Sequence, residues 1–257
     1  MVRRYALRHD QRARLKGLLP GRVGYVGGTA ADNRRVVGAV LYRYRAGIAW
    51  PDALWAMPER FGKWKSVHQR FDRWAKGGIW ERVFAALSAD ADNEYAMLNS
   101  TIVRAHQHSA DVHKGGTGDE AIDRGRGGLN TKIHALVDAL GNPTAFYLSG
   151  GQAHDLAGAD ALLAGIVAPT LIADRSYDAE ARVLRPLREA DEVAVIPPGR
   201  GRNVRRDYDR DRYATRHLAE NFFCRLKQSR SIATRYDTIR RNFLAGVYAA
   251  ATAILLN

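Results

Sequence analysis

The sequence predicts an α/β protein in which a mixed β-sheet with helices on its faces follows a small, all-helical domain of helix-turn-helix type. Within residues 1–90, apolar residues recur at helical spacing, and all five tryptophans of the chain fall there. From about residue 95 onward, short apolar runs bounded by Gly, Pro and Asn alternate with amphipathic stretches, which is typical of strands that alternate with helices. We therefore predict a helical domain over 1–92 and an α/β domain over 93–257.

The helical domain is predicted from three segments. Apolar residues on one stripe of "NRRVVGAVLYRYRAG" predict a helix that Asp32 caps and Gly47 ends. A second helix, "VHQRFDRWAKGG", can be capped by Ser66, and a third follows in "IWERVFAALS". We interpret the tryptophans as the core of this domain, with stacking on nucleic-acid bases as the alternative. Short helices joined by tight turns favour a helix-turn-helix DNA reader.

The α/β domain has the predicted element order β-β-β-α-β-α-β-α. The first three strands lie in "YAMLNSTIVRA" and in the two halves of "LNTKIHALVDALGNPTAFYLSG", which a turn at "LGNP" joins. Helix "HDLAGADALLAGI", strand "TLIADRSYD", helix "DAEARVLRPLREA" and strand "EVAVIPP" follow, and the last helix comes after an arginine-rich loop. Three consecutive strands followed by alternating units predict a mixed sheet. The polar, Gly-rich segment 108–128 is predicted to be a loop.

The positive charge of the chain is concentrated in its N-terminal third. The chain carries 40 Lys and Arg against 27 Asp and Glu, a formal net charge of +13. Residues 1–90 alone contain 18 basic and 7 acidic residues. A basic module joined to a nearly neutral remainder predicts a polyanion partner, which we take to be nucleic acid, with an anionic membrane surface as the alternative.

Cysteine content and hydropathy predict a cytoplasmic protein. The single cysteine, Cys224, excludes an intrachain disulfide and a four-cysteine zinc site, and it fits a reducing compartment. The charged N-terminus lacks the apolar core of a signal peptide. The most apolar run, "FLAGVYAAATAILL", is short for a membrane span and is predicted to be a buried terminal helix.

Two acids are candidates for catalysis. Glu220 lies in "YATRHLAENFFCRLK", within a set whose spacings put all members on one stripe of a helix: Tyr213, Arg216, Glu220 and Lys227. A solvated face with ion pairs between neighbouring turns is the alternative. Asp174 follows the apolar strand in "TLIADRSYD", at the sheet edge where ligands bind, although a turn-starting or helix-capping aspartate has the same pattern. If the two acids meet, they can bind Mg²⁺ through hard oxygen ligands.

These spacings resemble the C-terminal signature Y-x2-R-x3-E-x6-K of bacterial insertion-sequence transposases of the DDE class. Further blocks resemble the same family: "LNSTIVRAHQH", "RGGLNTKIHALVDALGNP", "GGQAHDL", "IADRSYD", "HLAENFFCRLKQSRSIATRYD" and, near the N-terminus, "PERFGKWKSVHQRFDRWAKGGIWERVF". The resemblance implies a ribonuclease H-like catalytic domain that needs Mg²⁺ or Mn²⁺. It also implies double-stranded DNA as the partner (the element's terminal inverted repeats and the target), a homodimer on DNA, a location at the bacterial nucleoid and no membrane association.

The resemblance assigns roles to particular residues. Asp174 corresponds to the second acid of the catalytic triad and Glu220 to the third, and both would bind the metal ion. Arg216 and Lys227 would contact DNA phosphates near the scissile bond, with Tyr213 on the same stripe. Within the other blocks we predict DNA contacts and active-site support: contacts by Arg175, Lys132, Arg70, Arg73 and Lys65, and support by His154 and Asp155.

The first acid of the triad is missing. The family has an aspartate in the block that reads "LNSTIVRA", and this chain has Asn99 there, so Asn99 is predicted to occupy the first catalytic and metal-binding position. A neutral amide cannot bridge two cations as a carboxylate can, and the chain is therefore predicted to be catalytically crippled. The substitution can be deliberate, or it can mark a degenerate natural copy. Alternatively, a nearby acid serves instead, namely Asp90, Asp92 or Asp138.

The function that follows is a DNA transposase that cuts and joins strands, disabled here by Asn99. The main alternative is a catalytically dead, end-binding protein or repressor derived from a transposase. A nuclease that cuts without joining and a polyanion-binding regulator without sequence preference are the remaining alternatives.

Other polar groups have structural as well as functional interpretations. A zinc site at His106, His108 and His113 is conceivable, although no cysteine lies near them. His134 is predicted to be a hydrogen-bonded histidine inside a strand, and Asp155 can cap the helix that follows it. The loop 200–216 contains seven arginines and is either a solvated, ion-paired loop or a clamp on DNA.

Overall fold

The computed structural model describes residues 7–21, 33–110, 121–125, 127–202 and 206–257. Contacts divide the chain into two compact units. The helical unit comprises Met1–Ala89, Ala105–Glu120 and Leu226–Asn257, and the sheet unit comprises Asp90–Arg104 and Ala121–Arg225. The predicted domain boundary between residues 92 and 93 stays a prediction.

The elements are named in chain order. The helices are α1 (His9–Lys16), α2 (Asn33–Ala46), α3 (Ala53–Ala56), α4 (Trp64–Lys76), α5 (Ile79–Leu87), α6 (Gln107–Ala110), α7 (Leu156–Leu162), α8 (Arg185–Glu189), α9 (Arg210–Ala214), α10 (His217–Lys227), α11 (Arg230–Ala233) and α12 (Arg240–Leu255). The strands are β1 (Ala96–Ala105), β2 (Asp123–Gly125), β3 (Gly128–Val137), β4 (Pro143–Gly150), β5 (Thr170–Ala173), β6 (Val193–Val195) and β7 (Thr234–Arg235). A π-helical turn, Glu180–Leu184, runs directly into α8.

The core of the helical unit forms where α12 packs on α2, α4 and α5. Trp80 and Phe84 of α5 are buried, and the Phe84 ring centroid lies 5.2 Å from that of Tyr248 on α12. Gly246 of α12 lies so close to α2 that a Cβ added there would be 2.1 Å from the Tyr44 hydroxyl oxygen. The apolar C-terminal run is therefore a buried helix, as predicted. None of the described helices is both long enough and apolar enough to cross a membrane.

The predicted helix ends in this unit need one correction. Gly47, with a φ of +77°, follows the last residue of α2 as predicted, whereas Asp32, the predicted cap, lies outside the described residues. Helix α4 begins at Trp64, so Ser66 lies inside its first turn and does not cap it. The chain turns earlier because Gly62 adopts a φ of +74°, which glycine tolerates without strain.

The tryptophans follow the core interpretation with one exception. Trp50, Trp74 and Trp80 are buried, as predicted. Trp55 is 87% exposed, which corrects the prediction for that residue. It lies on α3, a single helical turn of which only Ala53 is buried, and one turn can present only one side chain to the core.

The sheet unit contains the predicted mixed sheet. The strand order is β2–β3–β1–β5–β6, and β4 also pairs with β3. Strand β3 is antiparallel to both β1 and β4, whereas β1, β5 and β6 are parallel. The predicted order of three strands followed by alternating units is confirmed. Strand β2 is a correction, since it lies in a segment predicted to be a loop, and its sequence, Asp-Arg-Gly, has no apolar alternation.

One face of the sheet is covered by α7 and is called the α7 face. Leu98 of β1 and Leu136 of β3 are directly opposite each other and belong to one buried core with Ala159 of α7. Side chains alternate along a strand, so the next residue of β1 points to the opposite face.

The opposite face is covered by α10 and is called the α10 face. Asn99, Ala135 and Phe146 form one row across β1, β3 and β4 on this face. Phe222 of α10 packs on Phe146, with ring centroids 5.8 Å apart. Helix α10 therefore lies over the same face to which Asn99 points.

The predicted last helix consists of two helices, α9 and α10, which is a correction. The chain leaves helical geometry between Ala214 and His217, so the predicted stripe is not on one continuous helix. The Thr215 hydroxyl donates to the Arg212 carbonyl (2.7 Å), and the His217 imidazole lies 2.9 Å from the Ala214 carbonyl oxygen. The backbone N–H groups of Thr215 and Arg216 also bond three residues back, to the carbonyls of Arg212 and Tyr213, so the chain tightens there from α-helical bonding to a turn.

Candidate active site

Asn99 lies in β1, and Asp174 directly follows β5, the parallel strand beside it. Leu98 of β1 is in register with Ala173 of β5, and each candidate ligand is the residue that follows. The backbone of Asp174 stays extended, with φ −78° and ψ 176°, so its side chain alternates to the α10 face like that of Asn99. Because neighbouring strands are about 5 Å apart, both side chains can reach one ion.

The carboxylate of Asp174 is oriented by the turn that follows it. Its Oδ1 accepts hydrogen bonds from the Ser176 backbone N–H (2.7 Å) and from the Ser176 hydroxyl (2.5 Å). Asp174 thus caps the 3₁₀ turn Arg175–Tyr177, which is the structural role that the sequence left open. Capping uses Oδ1 and is compatible with a further ligand on Oδ2.

The side chain of Asn99 is nearly buried, with 7% of the residue exposed. Its Oδ1 accepts a hydrogen bond from the backbone N–H of Ser100 (2.8 Å). The amide therefore offers a ligand a single oxygen that already has one hydrogen bond and carries no charge.

Glu220 lies on α10, beside the stripe of the helix that packs on the sheet. The stripe is formed by buried residues at helical spacing: Ala219, Phe222, Phe223 and Leu226. The Glu220 side chain leaves the helix on the flank of this stripe and is 54% exposed. At four residues before and seven after Glu220, Arg216 and Lys227 fall on the same flank.

Arg216 connects the residues of the signature across the break between α9 and α10. Its Nη2 forms an ion pair with Glu220 Oε1 at 2.5 Å, and its guanidinium carbon lies 5.8 Å from the centroid of the Tyr213 ring. The ion-paired face that the sequence left open as an alternative is therefore present. Arg216 therefore contacts both Tyr213 and Glu220 although the three residues do not share one helix.

Asp138, one of the other acids near β1, has a structural role. Oδ1 of Asp138 accepts hydrogen bonds from the backbone N–H groups of Leu140 (3.0 Å) and Asn142 (2.7 Å), and Oδ2 accepts one from Asp92 (3.2 Å). Asp138 thus organises the turn between β3 and β4. Asp92 and Asp90 precede the first residue of β1, whereas Asn99 lies within it, beside the end of β5 that Asp174 follows.

Asp155 lies behind the sheet, on the α7 face, and does not cap α7 as predicted. Its Oδ1 accepts a hydrogen bond from the Ser100 hydroxyl (2.7 Å) and forms an ion pair with Lys132 Nζ (2.9 Å). The His154 Nδ1 accepts from the Leu156 N–H instead (3.2 Å). Burial, the largest influence, raises the pKa of Asp155, but the hydrogen bonds from Ser100 and Lys132 and the charge of Lys132 together lower it.

His134 is buried in β3, next to this group. Its Nε2 lies 2.8 Å from the Ser149 hydroxyl, so the predicted hydrogen-bonded sheet histidine is confirmed. Gly158 allows α7 to lie directly on the imidazole, because a Cβ there would be 2.2 Å from His134 Nδ1. Burial lowers the pKa of His134 to about 4, with the positive charge of Lys132 acting in the same direction.

The low pKa of His134 predicts a specific loss of stability in acid. The unfolded chain binds a proton on this histidine below about pH 6.5, whereas the folded chain does so only near pH 4, so the free energy of unfolding falls as pH decreases through this window. Between pH 7 and pH 5 we expect His134 to account for about 2 kcal/mol of that loss. Urea unfolding followed by far-UV circular dichroism checks this. The variant His134→Gln should lose less stability than the parent over the same interval, and equal losses would contradict the assignment.

The side chains predicted to bind metal have the ligand chemistry of a hard divalent ion. Carboxylate oxygens from Asp174 and Glu220 and the amide oxygen of Asn99 are of the type that Mg²⁺ and Mn²⁺ take. The set has two negative charges where a triad of acids would have three. Among the residues that the structure describes, no three His, Cys, Asp or Glu side chains form a group that could hold a metal ion.

The predicted histidine group is described only in part. His106 packs on Tyr236 with ring centroids 4.7 Å apart. His113 and the side chain of His108 lie outside the described residues, and the zinc interpretation gains no support from the rest.

The basic residues predicted to contact DNA differ in exposure. Lys65, Arg73 and Arg175 are exposed, whereas Arg70 is half-buried. Lys132 is only 8% exposed, and its ammonium group donates to the Ala153 carbonyl (2.7 Å) as well as contacting Asp155. A buried, ion-paired ammonium is not presented to DNA, so its placement does not support the predicted contact.

Three arginines of the helical unit are close together. The Arg70 guanidinium lies 5.4 Å from the ring centroid of Trp74. Its pKa is lowered by partial burial first and then by the charges of Arg73 and Arg35, so the three cations repel one another. A cluster of like charges raises the local positive potential and favours a polyanion.

Part of the arginine-rich loop is bound to the protein itself. The buried carboxylate of Asp178 accepts hydrogen bonds from the Gly199 N–H (2.6 Å), Arg202 Nε (2.7 Å) and Arg206 Nη1 (3.2 Å). These two arginines therefore tie the loop to the segment after β5. For Arg202 and Arg206, the loop is therefore ion-paired within the protein, which is one of the two predicted alternatives.

Two family models match the chain. The model described as "Putative transposase of IS4/5 family" matches residues 7–84, and the model described as "Transposase DDE domain" matches residues 96–256. Together they cover both halves of the predicted organisation.

Two proteins with similar sequences come from bacteria. The chain is 39% identical over 108 residues to "Uncharacterized protein y4sN" of Sinorhizobium fredii, a match that covers 42% of this chain and 83% of that protein. It is 33% identical over 132 residues to "Putative transposase for insertion sequence element IS6501" of Brucella ovis, covering 50% of this chain and 99% of that protein. No solved structure matches the chain.

Proposed function

Since the chain belongs to the DDE class of insertion-sequence transposases, with a ribonuclease H-like fold, we propose that it binds the terminal inverted repeats of its element and acts there on DNA strands. The proposed reaction hydrolyses a phosphodiester at each end. The freed 3′-hydroxyl then attacks a phosphodiester of target DNA, which joins the strand end to the target 5′-phosphate and releases a 3′-hydroxyl on the target. The observation that best supports the catalytic part is the position of Asn99 beside Asp174, on the face that the helix of Glu220 covers.

Asp174, Glu220 and the amide oxygen of Asn99 are the groups proposed to hold Mg²⁺ or Mn²⁺. When bound, such an ion polarises the scissile phosphodiester and activates the attacking water or 3′-hydroxyl. The protein's own part is to orient the ligands, and the two hydrogen bonds from Ser176 do this for Asp174. No covalent intermediate with the protein is required.

Arg216 and Lys227 are proposed to hold the DNA phosphates near the scissile bond. Arg216 forms an ion pair with Glu220. An exposed ion pair of this kind contributes at most about 1 kcal/mol, so a phosphate can displace the carboxylate from Arg216 at little cost. The exchange would leave Glu220 available to a metal ion. Tyr213, against which Arg216 packs, is proposed to support the guanidinium at the DNA.

The helical unit is proposed to bind the element's ends through α4 and its surroundings. Lys65 and Arg73 are exposed on α4, and Arg70 and Arg35 add to the same positive potential. Arg175 is proposed to contact DNA from the sheet unit. Transposition joins two ends, and a homodimer on DNA is therefore part of the proposal.

A second candidate function is favoured by Asn99. A chain that binds ends but lacks the first acid of the triad would act as an end-binding protein or repressor of its own element. Both functions need specific binding to the ends. They differ in the expected effect of Asn99→Asp: a disabled transposase would regain DNA cutting, whereas a degenerate end-binding protein would not.

Binding to the ends is tested with the full chain and a labelled duplex that carries the element's own terminal repeat. Fluorescence anisotropy at several salt concentrations gives the dependence of log K on log salt. We expect Arg73→Gln to weaken binding and to reduce the salt slope by about 1, because one phosphate contact is lost. The control Lys16→Gln, on α1, should leave the slope unchanged. Equal affinity of the parent for the end and for a scrambled duplex would contradict the proposed function.

A further inference from the structure

We propose that Asp155 is a positioning residue for the metal site: from the opposite side of the sheet, it fixes the two segments that carry Asn99 and Asp174. The inference rests on the proposed function and extends it to residues of the α7 face. It is carried by the hydrogen bonds of Asp155 and by the place of its partners in the chain.

The first of these partners is Ser100, which directly follows Asn99. The Ser100 hydroxyl donates to Asp155 Oδ1 at 2.7 Å, through a side chain that points to the α7 face while that of Asn99 points to the α10 face. Holding Ser100 therefore holds the backbone that sets the position of residue 99. The Asn99 Oδ1 accepts from the N–H of the same Ser100.

The second partner is the turn after Asp174. The Ser176 hydroxyl, which donates to Asp174, also contributes to lowering the pKa of Asp155. Burial, first, and then the charges of Asp155 and Asp174 raise the pKa of Tyr177 in the same turn, so both carboxylates lie near one phenol. Asp155 thus lies against both β1 and the turn that ends β5.

Lys132 keeps this carboxylate in place and keeps it from the metal. Its ammonium group lies 2.9 Å from Asp155 Oδ1 and also donates to the Ala153 carbonyl just before the start of α7. The side chains of Lys132 and Asp155 are 10% and 22% exposed, so the pair is largely removed from water. A carboxylate neutralised in this way does not replace the missing acid at position 99 but supports the group that stands there.

The test measures Mn²⁺ affinity by the electron paramagnetic resonance signal of free Mn²⁺, in the full chain carrying Asn99→Asp. Substitution of a group that orients a metal ligand typically lowers the affinity for the metal by about 10- to 100-fold. We expect Asp155→Asn and Ser100→Ala to weaken Mn²⁺ binding by about 10-fold or more, without changing the affinity for end DNA measured without metal. Ser100→Thr keeps the hydroxyl and should restore the affinity to within about 2-fold.

Two controls separate positioning from folding. Asp160→Asn alters an exposed carboxylate of the same helix, paired with Arg182, and should leave Mn²⁺ affinity unchanged. Asp155→Leu combined with Lys132→Met removes both buried charges, which restores stability without restoring the hydrogen bond to Ser100. It should fold as stably as the parent and still bind Mn²⁺ weakly.

The outcomes distinguish this inference from the proposed function. Weak Mn²⁺ binding by Asp155→Asn and Ser100→Ala, with a normal control, supports the inference. Parent-like Mn²⁺ affinity in both variants would overturn it and leave the proposed metal site intact. A parent that binds no Mn²⁺ would overturn the proposed metal site and this inference with it.

Discussion

Replacing Asn99 with aspartate is expected to raise the rate at which the chain nicks its element's end by about 1,000-fold or more in Mg²⁺. Asn99 is next to Asp174 on the α10 face, and an aspartate there adds a third carboxylate to the proposed donor set. Charge stabilisation by a correctly held metal ion contributes several kcal/mol to such reactions, and about 1.4 kcal/mol corresponds to a factor of ten. The measurement is a gel-based nicking assay on a linear duplex that carries the terminal repeat.

The matched control adds the same charge nearby but not at the site. Asn221 is exposed on α10, directly after Glu220, and Asn221→Asp should give no gain in nicking. Adding Asp174→Asn to the Asn99→Asp chain should abolish the gain. If Asn99→Asp binds the end specifically but does not cut, the chain is a degenerate end-binding protein. Strand-transfer products distinguish a transposase from a nuclease that cuts without joining.

The substitution Asp237→Asn is expected to destabilise the helical unit by about 3 to 5 kcal/mol. Asp237 forms an ion pair with Arg43 Nη1 (3.0 Å) and accepts a hydrogen bond from the Tyr44 hydroxyl (2.9 Å). The side chains of the pair are 0% and 2% exposed, so the substitution leaves the Arg43 guanidinium buried without a counter-charge. The guanidinium carbon lies 4.5 Å from the Tyr44 ring centroid and 4.8 Å from that of Trp50, which holds Arg43 in place.

Urea unfolding followed by tryptophan fluorescence measures this effect, because all five tryptophans belong to the helical unit. Asp72→Asn is the control: this carboxylate forms more exposed ion pairs with Lys76 and Arg241, and its loss should cost about 1 kcal/mol or less. Replacing both partners, Arg43→Met with Asp237→Leu, should recover most of the stability. An unfolding midpoint for Asp237→Asn equal to that of the Asp72 control would refute the importance of the buried pair.

Much of the fold could be predicted because its signals are local. The strand just before Asp174 is a short apolar run followed by a turn, and the hairpin of β3 and β4 has a turn sequence between two strand-like segments. The mixed sheet followed from the order of such segments. The apolar run at the end of the chain was recognised as a buried helix from its length.

Other features depend on contacts that no local pattern encodes. The break before α10 is a turn in which backbone N–H groups bond three residues back and the side chains of Thr215 and His217 add bonds to carbonyls of α9. Lys132 is predicted to bind DNA, yet in the structure it is nearly buried and paired with Asp155. Asp155 lies 23 residues further along the chain, so no local pattern indicates this pair. The contact between Ser100 and Asp155 was missed for the same reason, since an isolated serine in a strand carries no signal of its partner.

The most direct test of the central claim, that residues 99, 174 and 220 share one divalent ion, is metal-directed cleavage of the polypeptide. Fe²⁺ in place of Mg²⁺, with ascorbate and peroxide, cuts the backbone close to the bound ion, and mass spectrometry identifies the cut positions. In the full chain carrying Asn99→Asp, we predict cuts near all three positions, which excess Mg²⁺ suppresses and Asp174→Asn abolishes. Cuts confined to other segments, or cuts near only one of the three, would contradict a shared metal site.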